Sequence, residues 1–301
     1  MKRDLLRVAD LATAEIETVL DLAARLKAEL KAGKPHPLLA GRTLAMIFEK
    51  PSLRTRVTFE VGMVQLGGAA INLARGDIRF GEREPTRDIA RNLDRWVDIV
   101  MARTFAHQSV VDLATWARVP VVNGLSDLHH PCQVLADCLT VREHLGRIAG
   151  LRITFVGDGN NMAHSWMDAA ARLDFDLVIA CPPGYEPDPT ITKEAGARVT
   201  ITHDVAAAAR GADVLYTDVW TSMGQEEEAD HRRRVFAPYQ INDALVALAE
   251  PRALVMHCLP AHRGEEISES AMEGPHSVVF DQAENRLHAQ NAILVWLLNA
   301  A

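Results

Sequence analysis

The sequence has no paired cysteine spacing, no long apolar run and no basic excess, and each absence removes a class of protein. Its four cysteines, Cys132, Cys138, Cys181 and Cys258, form no CxxC motif and occur without a secretory context. Disulfide scaffolds and zinc sites are therefore not expected, whereas reduced thiols in a cytoplasmic protein are. No stretch approaches the ~20 apolar residues of a membrane span. Lys2, Arg3, Asp4, Arg7 and Asp10 interrupt any signal-peptide core. A formal net charge of −8 argues against nucleic acid as a partner, which normally demands a basic face. An anionic ligand would have to meet a local basic pocket. Nor is there an internal repeat of about 20–50 residues.

What the chain does have is apolar material for more than one core. It runs to 301 residues, 48% of them apolar. A domain takes roughly 150 residues, so two are expected. Thr13 reads as the cap of a helix whose apolar positions Ile16, Val19, Leu20, Ala23, Leu26 and Leu30 recur at helical spacing until Gly33-Lys34-Pro35. Strands over 43–48, 70–73, 99–103 and 119–123 then alternate with helices over 54–66, 85–96 and 109–117. That rhythm belongs to a parallel α/β sheet. A helical pattern from His130 to Leu145 reads as the connector to a second series, with a helix over 162–173 and strands at 152–156, 176–180, 199–201, 214–217, 253–257 and 278–280. The segment 291–299 is apolar all round, so a helix there should pack across a domain surface. The run from Glu226-Glu227-Glu228 to Arg232-Arg233-Arg234 reads as a solvated helix face.

Phe48-Glu49-Lys50-Pro51-Ser52-Leu53-Arg54-Thr55-Arg56 stands where a strand hands over to a helix. Backbone N–H groups at a helix start lack intrahelical partners and carry partial positive charge, so anions bind there. Ser52 suits the N-cap, and Arg54 and Arg56 add forked donors matched to phosphate oxygens. An ordinary capped helix with solvated arginines satisfies the same residues. Gly157-Asp158-Gly159-Asn160-Asn161 is a poor dinucleotide fingerprint, because the third glycine and the later acidic residue are missing. Its asparagines, with free N–H groups at a helix start, would suit a carboxylate instead.

Three further segments follow predicted strands: His130-Pro131-Cys132-Gln133, Asp218-Val219-Trp220-Thr221-Ser222-Met223-Gly224 and His257-Cys258-Leu259-Pro260. Taken singly they could be a satisfied histidine, a capped turn and a buried thiol. Arg103, ending an apolar strand, needs an anionic or carbonyl partner. Arg286 alone could be a surface ion pair.

In this order and spacing, Ser52-Leu53-Arg54-Thr55-Arg56, His130-Pro131-Cys132-Gln133, Asp218 with Ser222-Met223-Gly224, and His257-Cys258-Leu259-Pro260 resemble the ornithine carbamoyltransferases over nearly the whole chain. The first two segments mark carbamoyltransferases at large. The Ser-Met-Gly loop and Cys258 set the ornithine enzymes apart from aspartate carbamoyltransferases, and the loop also differs in acetylornithine and succinylornithine enzymes.

The resemblance implies an α/β fold of two domains, each a parallel sheet flanked by helices, with the C-terminal helix packing back on the first. Residues 1–133, completed by 284–301, would bind carbamoyl phosphate, and 134–283 would bind ornithine. The reaction implied is carbamoyl transfer to the side-chain amine of L-ornithine, giving citrulline and phosphate in arginine synthesis or breakdown, with no metal or organic cofactor. Ser52, Leu53, Arg54 and Thr55 would hold the phosphate, joined by Arg103 and Arg286. His130, Pro131, Cys132 and Gln133 would address the carbamoyl end. Asn161 would take the ornithine carboxylate and Asp218 its α-ammonium, while Ser222 and Met223 close over the ligand. Cys258 and Leu259 would reach both substrates, with Cys258 as proton acceptor.

Arg103, His130 and the Thr55 hydroxyl would then form a donor set for the charge that develops on the carbonyl oxygen. The family forms trimers. Arg79 stands where glutamine is usual, in a loop that reaches a neighbouring subunit's carbamoyl phosphate, and either donates to phosphate or turns to solvent. The competing readings are a carbamoyltransferase for putrescine or a lysine analogue, a non-catalytic sensor of either substrate, and a nicotinamide-dependent dehydrogenase. Asp218 speaks against putrescine, which has no α-amino-acid group. The intact set Arg54, Thr55, Arg103, His130, Gln133, Asp218, Cys258 and Arg286 speaks against a sensor.

Overall fold

The structure is a computed structural model describing residues 2–74, 76–78, 84–222, 224 and 226–299. The chain divides into two units: Met1–Leu139 with Glu284–Ala301, and Thr140–Ala283.

In the first unit, α1 (Thr13–Lys31) buries Ile16, Val19, Leu20, Ala23 and Leu26 along one face. Its N-cap is Ala12 rather than Thr13, because the Glu15 carboxylate already accepts the Ala12 N–H at 2.9 Å. There follow β1 (Thr43–Phe48), α2 (Leu53–Gln65), β2 (Ala69–Ala74), α3 (Thr86–Leu93), β3 (Ile99–Arg103), α4 (His107–Trp116), β4 (Val121–Leu125) and α5 (Pro131–Leu145), which carries the chain into the second unit. The strands form one parallel sheet in the order β2-β1-β3-β4. β1 and β3 read as unbroken apolar runs because helices cover both faces of such a sheet. Ala45, Ile47, Val100, Ala102 and Val121 pack against Ile89, Leu93, Val110 and Leu113 of α3 and α4.

The second unit continues with β5 (Arg152–Val156), α6 (Asn161–Leu173), β6 (Asp176–Ala180), α7 (Pro189–Ala195), β7 (Val199–Thr202), α8 (Val205–Ala209), β8 (Val214–Thr217), α9 (Ala229–Phe236), α10 (Asp243–Val246), β9 (Leu254–His257) and α11 (Glu269–Glu273). Its sheet is also parallel, in the order β7-β6-β5-β8-β9. Val156, Val178, Leu215 and Val255 form its core with Ile241, Leu245, Ile267 and Met272.

The last helix, α12 (Val279–Leu297), corrects two expectations. Residues 278–280 are not a strand. A single bridge joins Ser277 to Val255, and the helix then begins, since a three-residue apolar run carries no period to separate the two states. The helix also starts 12 residues before the apolar segment at 291, through buried Gln282, Asn285, Arg286, His288 and Gln290. From Glu284 onward it packs on the first unit: Lys27 Nζ donates to Asn285 Oδ1 at 2.7 Å. A Cβ on Gly62 of α2 would lie 2.0 Å from Asn291 Oδ1, so a side chain there would have to displace that of Asn291.

Among the described residues, no helix is long and apolar enough to cross a membrane.

Candidate active site

In the first sheet the chain steps from β1 outward to β2 and then returns to the other side as β3, so the order reverses between β1 and β3. Open α/β sheets collect ligands beyond the carboxyl ends of such a pair. Phe48 and Arg103, the last residues of the two strands, are partners in register. Glu49 ties the ends together: its N–H donates to Arg103 O at 2.9 Å, and its carboxylate accepts the Phe105 N–H at 3.0 Å.

Ser52 sits at the N-cap of α2 in extended conformation, its Oγ accepting the Thr55 N–H at 3.2 Å. Arg54 and Thr55 occupy the first turn beyond it. Leu53 turns its side chain to solvent, so what it offers at the helix start is its main-chain N–H.

Arg286 enters from α12, almost fully buried. One Nη donates to Gln133 Oε1 at 2.5 Å and the other to Thr55 Oγ1 at 3.1 Å, so one guanidinium joins the first turns of α2 and α5. Gln133 passes the link on, donating to Asp137 Oδ1 at 2.8 Å.

His130 precedes α5 and is buried. Burial, then the cations of Arg286, Arg103 and Arg54, hold its pKa well below the usual imidazole range. It is neutral at pH 7, with one N–H to give. Pro131 is the first residue of α5, where its missing N–H costs nothing. Cys132 turns inward: burial pushes its thiol up to about 12, and Sγ donates to Asn123 O at 3.5 Å. Its side chain is thus committed to packing.

In the second unit the reversal falls between β5 and β8. Gly157–Asn161 follows the first strand and Asp218–Ser222 the second. Asn160 is the N-cap of α6: its Oδ1 accepts the N–H groups of Met162 at 2.9 Å and Ala163 at 3.3 Å, and its Nδ2 donates to Asp218 Oδ2 at 2.9 Å. Two of the helix-start N–H groups that the sequence offers to a carboxylate are therefore already taken. Asn161 is the first residue of the helix. Gly159 permits the turn, since a Cβ there would lie 2.3 Å from Pro187 N.

Asp218 is buried, and its Oδ1 accepts from the Cys258 thiol at 2.9 Å and from the Val219 N–H at 2.8 Å. Leu259 holds a left-handed backbone at φ +59°, costly for any residue with a Cβ. Ser222 is half-buried four residues beyond Asp218. Met223 and Arg79 lie outside the described residues.

Asp218, His257 and Cys258 bring one donor atom each within 4.8 Å of one another, a cluster invisible to cysteine spacing. Both ring nitrogens of His257 are already engaged, Nδ1 by the Leu259 N–H at 2.8 Å and Nε2 by Glu266 at 3.0 Å.

Sequence reasoning missed three residues here. Lys50 is buried with its ammonium 4.5 Å from the Phe105 ring centroid, and burial, then Arg103, lowers its pKa. Glu266 is fully buried. Arg232 is a correction: it belongs to no solvated face, being only 3% exposed. Its Nε donates to Trp220 O at 2.5 Å, it pairs with Asp158, and it stacks on Tyr185 and Phe236. Burial pushes the Asp158 carboxyl up to about 6, against the pull of Arg232. One apolar residue every three or four positions is a readable signal; one buried arginine in a charged run is not.

A family model described as "Aspartate/ornithine carbamoyltransferase, carbamoyl-P binding domain" matches residues 3–143, and its companion "Asp/Orn binding domain" matches 149–297. Ornithine carbamoyltransferase of Thermococcus kodakarensis is 52% identical over 303 residues, covering 98% of this chain and 96% of that one. That of Syntrophotalea carbinolica is 52% identical, with 99% and 100% covered. The solved structure of ornithine carbamoyltransferase from Pyrococcus furiosus superposes with a TM-score of 0.96 at 52% identity, covering 99% of this chain and 97% of that one. The Thermus thermophilus enzyme gives 0.91 at 48%, with 99% of each chain covered. With both domain models matched in sequence order and whole-chain relatives at this identity, the chain belongs to the aspartate/ornithine carbamoyltransferase family.

Proposed function

We propose that this chain transfers the carbamoyl group of carbamoyl phosphate to the side-chain amine of L-ornithine, forming L-citrulline and phosphate. The 2.9 Å hydrogen bond from the Cys258 thiol to Asp218 carries this reading, because it sets a proton acceptor beside the carboxylate that pairs with the substrate's α-ammonium. Relatives at 52% identity that bear the name ornithine carbamoyltransferase support it.

Carbamoyl phosphate is assigned to residues 1–133 with 284–301, and ornithine to 134–283. Main-chain N–H groups of Ser52, Leu53 and Arg54 and the Thr55 hydroxyl, with the Arg54, Arg103 and Arg286 side chains, take the phosphate; Pro131, Cys132 and Gln133 frame the carbamoyl group. The attacking amine, with an unperturbed pKa near ~10.4 by analogy with lysine, must first lose a proton. Cys258 takes it. The nitrogen lone pair then adds to the carbonyl carbon, charge builds on the carbonyl oxygen, and the bond to the phosphate oxygen breaks, the departing phosphate taking the second proton from the nitrogen. Arg103, the Thr55 hydroxyl and the N–H of neutral His130 meet that charge, and each such donor is worth on the order of 3–4 kcal/mol in other enzymes. Asn161, Ser222, Met223 and Leu259 hold the amino acid, and no metal enters the scheme.

The assembly we propose is a trimer or a trimer-based oligomer. α2 leaves Leu53, Val57, Val61 and Val64 at 74%, 46%, 40% and 73% exposure along one face, a row that a second copy would cover. Light scattering on the wild type and on Val64→Asp tests this: a trimeric mass that the variant loses is expected, and a monomeric wild type contradicts it. A cytoplasmic location accords with four cysteines that form no disulfide among the described residues.

Citrulline formation by the purified chain tests the activity. Silence with ornithine while another amine is carbamoylated would overturn the substrate assignment.

A further inference from the structure

Glu266 is fully buried, as is its partner His257. The main chain around it is fixed by a bridge between Ile241 and Ile267, with the Ile241 N–H donating to Glu266 O at 2.9 Å. Its Oε1 accepts twice: from His257 Nε2 at 3.0 Å and from the His262 N–H at 2.6 Å.

The chemistry of the partners fixes where the imidazole proton sits. A carboxylate facing it accepts, so Nε2 carries the proton; a backbone N–H can only donate, so Nδ1 must keep its lone pair for the Leu259 N–H at 2.8 Å. Swapping the tautomer would set N–H against N–H on one side and lone pair against carboxylate on the other. The Leu259 N–H is thereby held while its backbone stays left-handed, and Leu259 follows directly on Cys258, whose thiol meets Asp218. The His257 N–H is tied independently to Gln282 Oε1 at 2.9 Å.

We infer that Glu266 is a positioning residue for carbamoyl transfer: it locks His257 in the Nε2–H tautomer, and through the Leu259 N–H this lock aims Cys258 and Leu259. It acts through His257 and touches no substrate. The inference rests on the proposed role of Cys258.

The test pairs nitrogen-15 NMR of His257 with steady-state kinetics of the wild type, Glu266→Gln and Glu266→Leu. In the wild type His257 carries its proton on Nε2; finding it on Nδ1 overturns the inference without any variant. Glu266→Leu should mix the tautomers and lower kcat by about tenfold or more, the usual cost of losing a group that orients another, with the KM for carbamoyl phosphate within about twofold. Glu266→Gln can still accept through its amide oxygen and should recover part of kcat. If Glu266→Leu does not fold, Glu266→Gln decides: a mixed tautomer must accompany any fall in kcat. Wild-type kcat with a mixed tautomer, or a lowered kcat with an unmixed one, overturns the inference. Wild-type enzyme that makes no citrulline would instead defeat the underlying reading, and the tautomer measurement keeps the two failures apart.

Discussion

Arg286 donates to the hydroxyl of Thr55 across 3.1 Å, although 231 residues separate them in sequence. The same guanidinium holds Gln133, so the C-terminal helix sets the spacing between two helix starts of the first unit. Arg286→Met would leave both partners buried without their cationic donor. Hydrogen bonds to charged groups are each worth about 1.5–3 kcal/mol, so a loss of about 2–3 kcal/mol of stability and a raised KM for carbamoyl phosphate are expected. Denaturant unfolding and kinetics check this; an unchanged midpoint and KM would remove Arg286 from the site.

Cys258→Ala removes the proposed proton acceptor while leaving the proposed phosphate ligands in place. Turnover should fall by about a hundredfold, within the usual range for a general base, and carbamoyl phosphate should bind as before. An unaltered kcat would exclude Cys258 from proton transfer.

The neutrality of His130 has a sign that can be measured. Its folded pKa lies well below 6.5, because burial and then Arg286, Arg103 and Arg54 disfavour the cation. Below about pH 6.5 the unfolded chain takes up a proton that the folded chain refuses, so this contribution to stability is complete above that pH and is lost as pH falls. In NMR titration His130 should remain neutral at pH 6. An ordinary midpoint near the unperturbed value would contradict the cationic surroundings described.

Arg232 ties the turn bearing Asp158 to Trp220, two residues beyond Asp218. Arg232→Lys keeps the charge and loses the fork. The KM for ornithine should rise by about tenfold, as expected when one charge-assisted hydrogen bond worth about 1.5 kcal/mol goes, while carbamoyl phosphate affinity holds. Equal changes for both substrates would mean a general loss of structure.

These residues also mark how far sequence can be read. The buried strands were legible because a sheet covered on both faces writes its strands as apolar runs, and Ser52 was legible because helix caps are chosen from a short menu. α12 was seen only in its apolar half, since Gln282, Asn285 and Arg286 are buried yet polar and break the pattern. The free N–H groups expected beside Asn161 are satisfied by Asn160, a local bond that composition cannot reveal. Arg232 and Glu266 sit in charged stretches, and their burial depends on Asp158 and His257, which the chain brings to them only on folding.

The central claim is tested most directly with carbon-13-labelled carbamoyl phosphate and purified protein. With L-ornithine the label should appear in the ureido carbon of citrulline with one phosphate released per transfer, and L-aspartate and putrescine should give no carbamoylated product. Label transfer to either of those in preference to ornithine, or phosphate release no faster than spontaneous decomposition, would contradict the account.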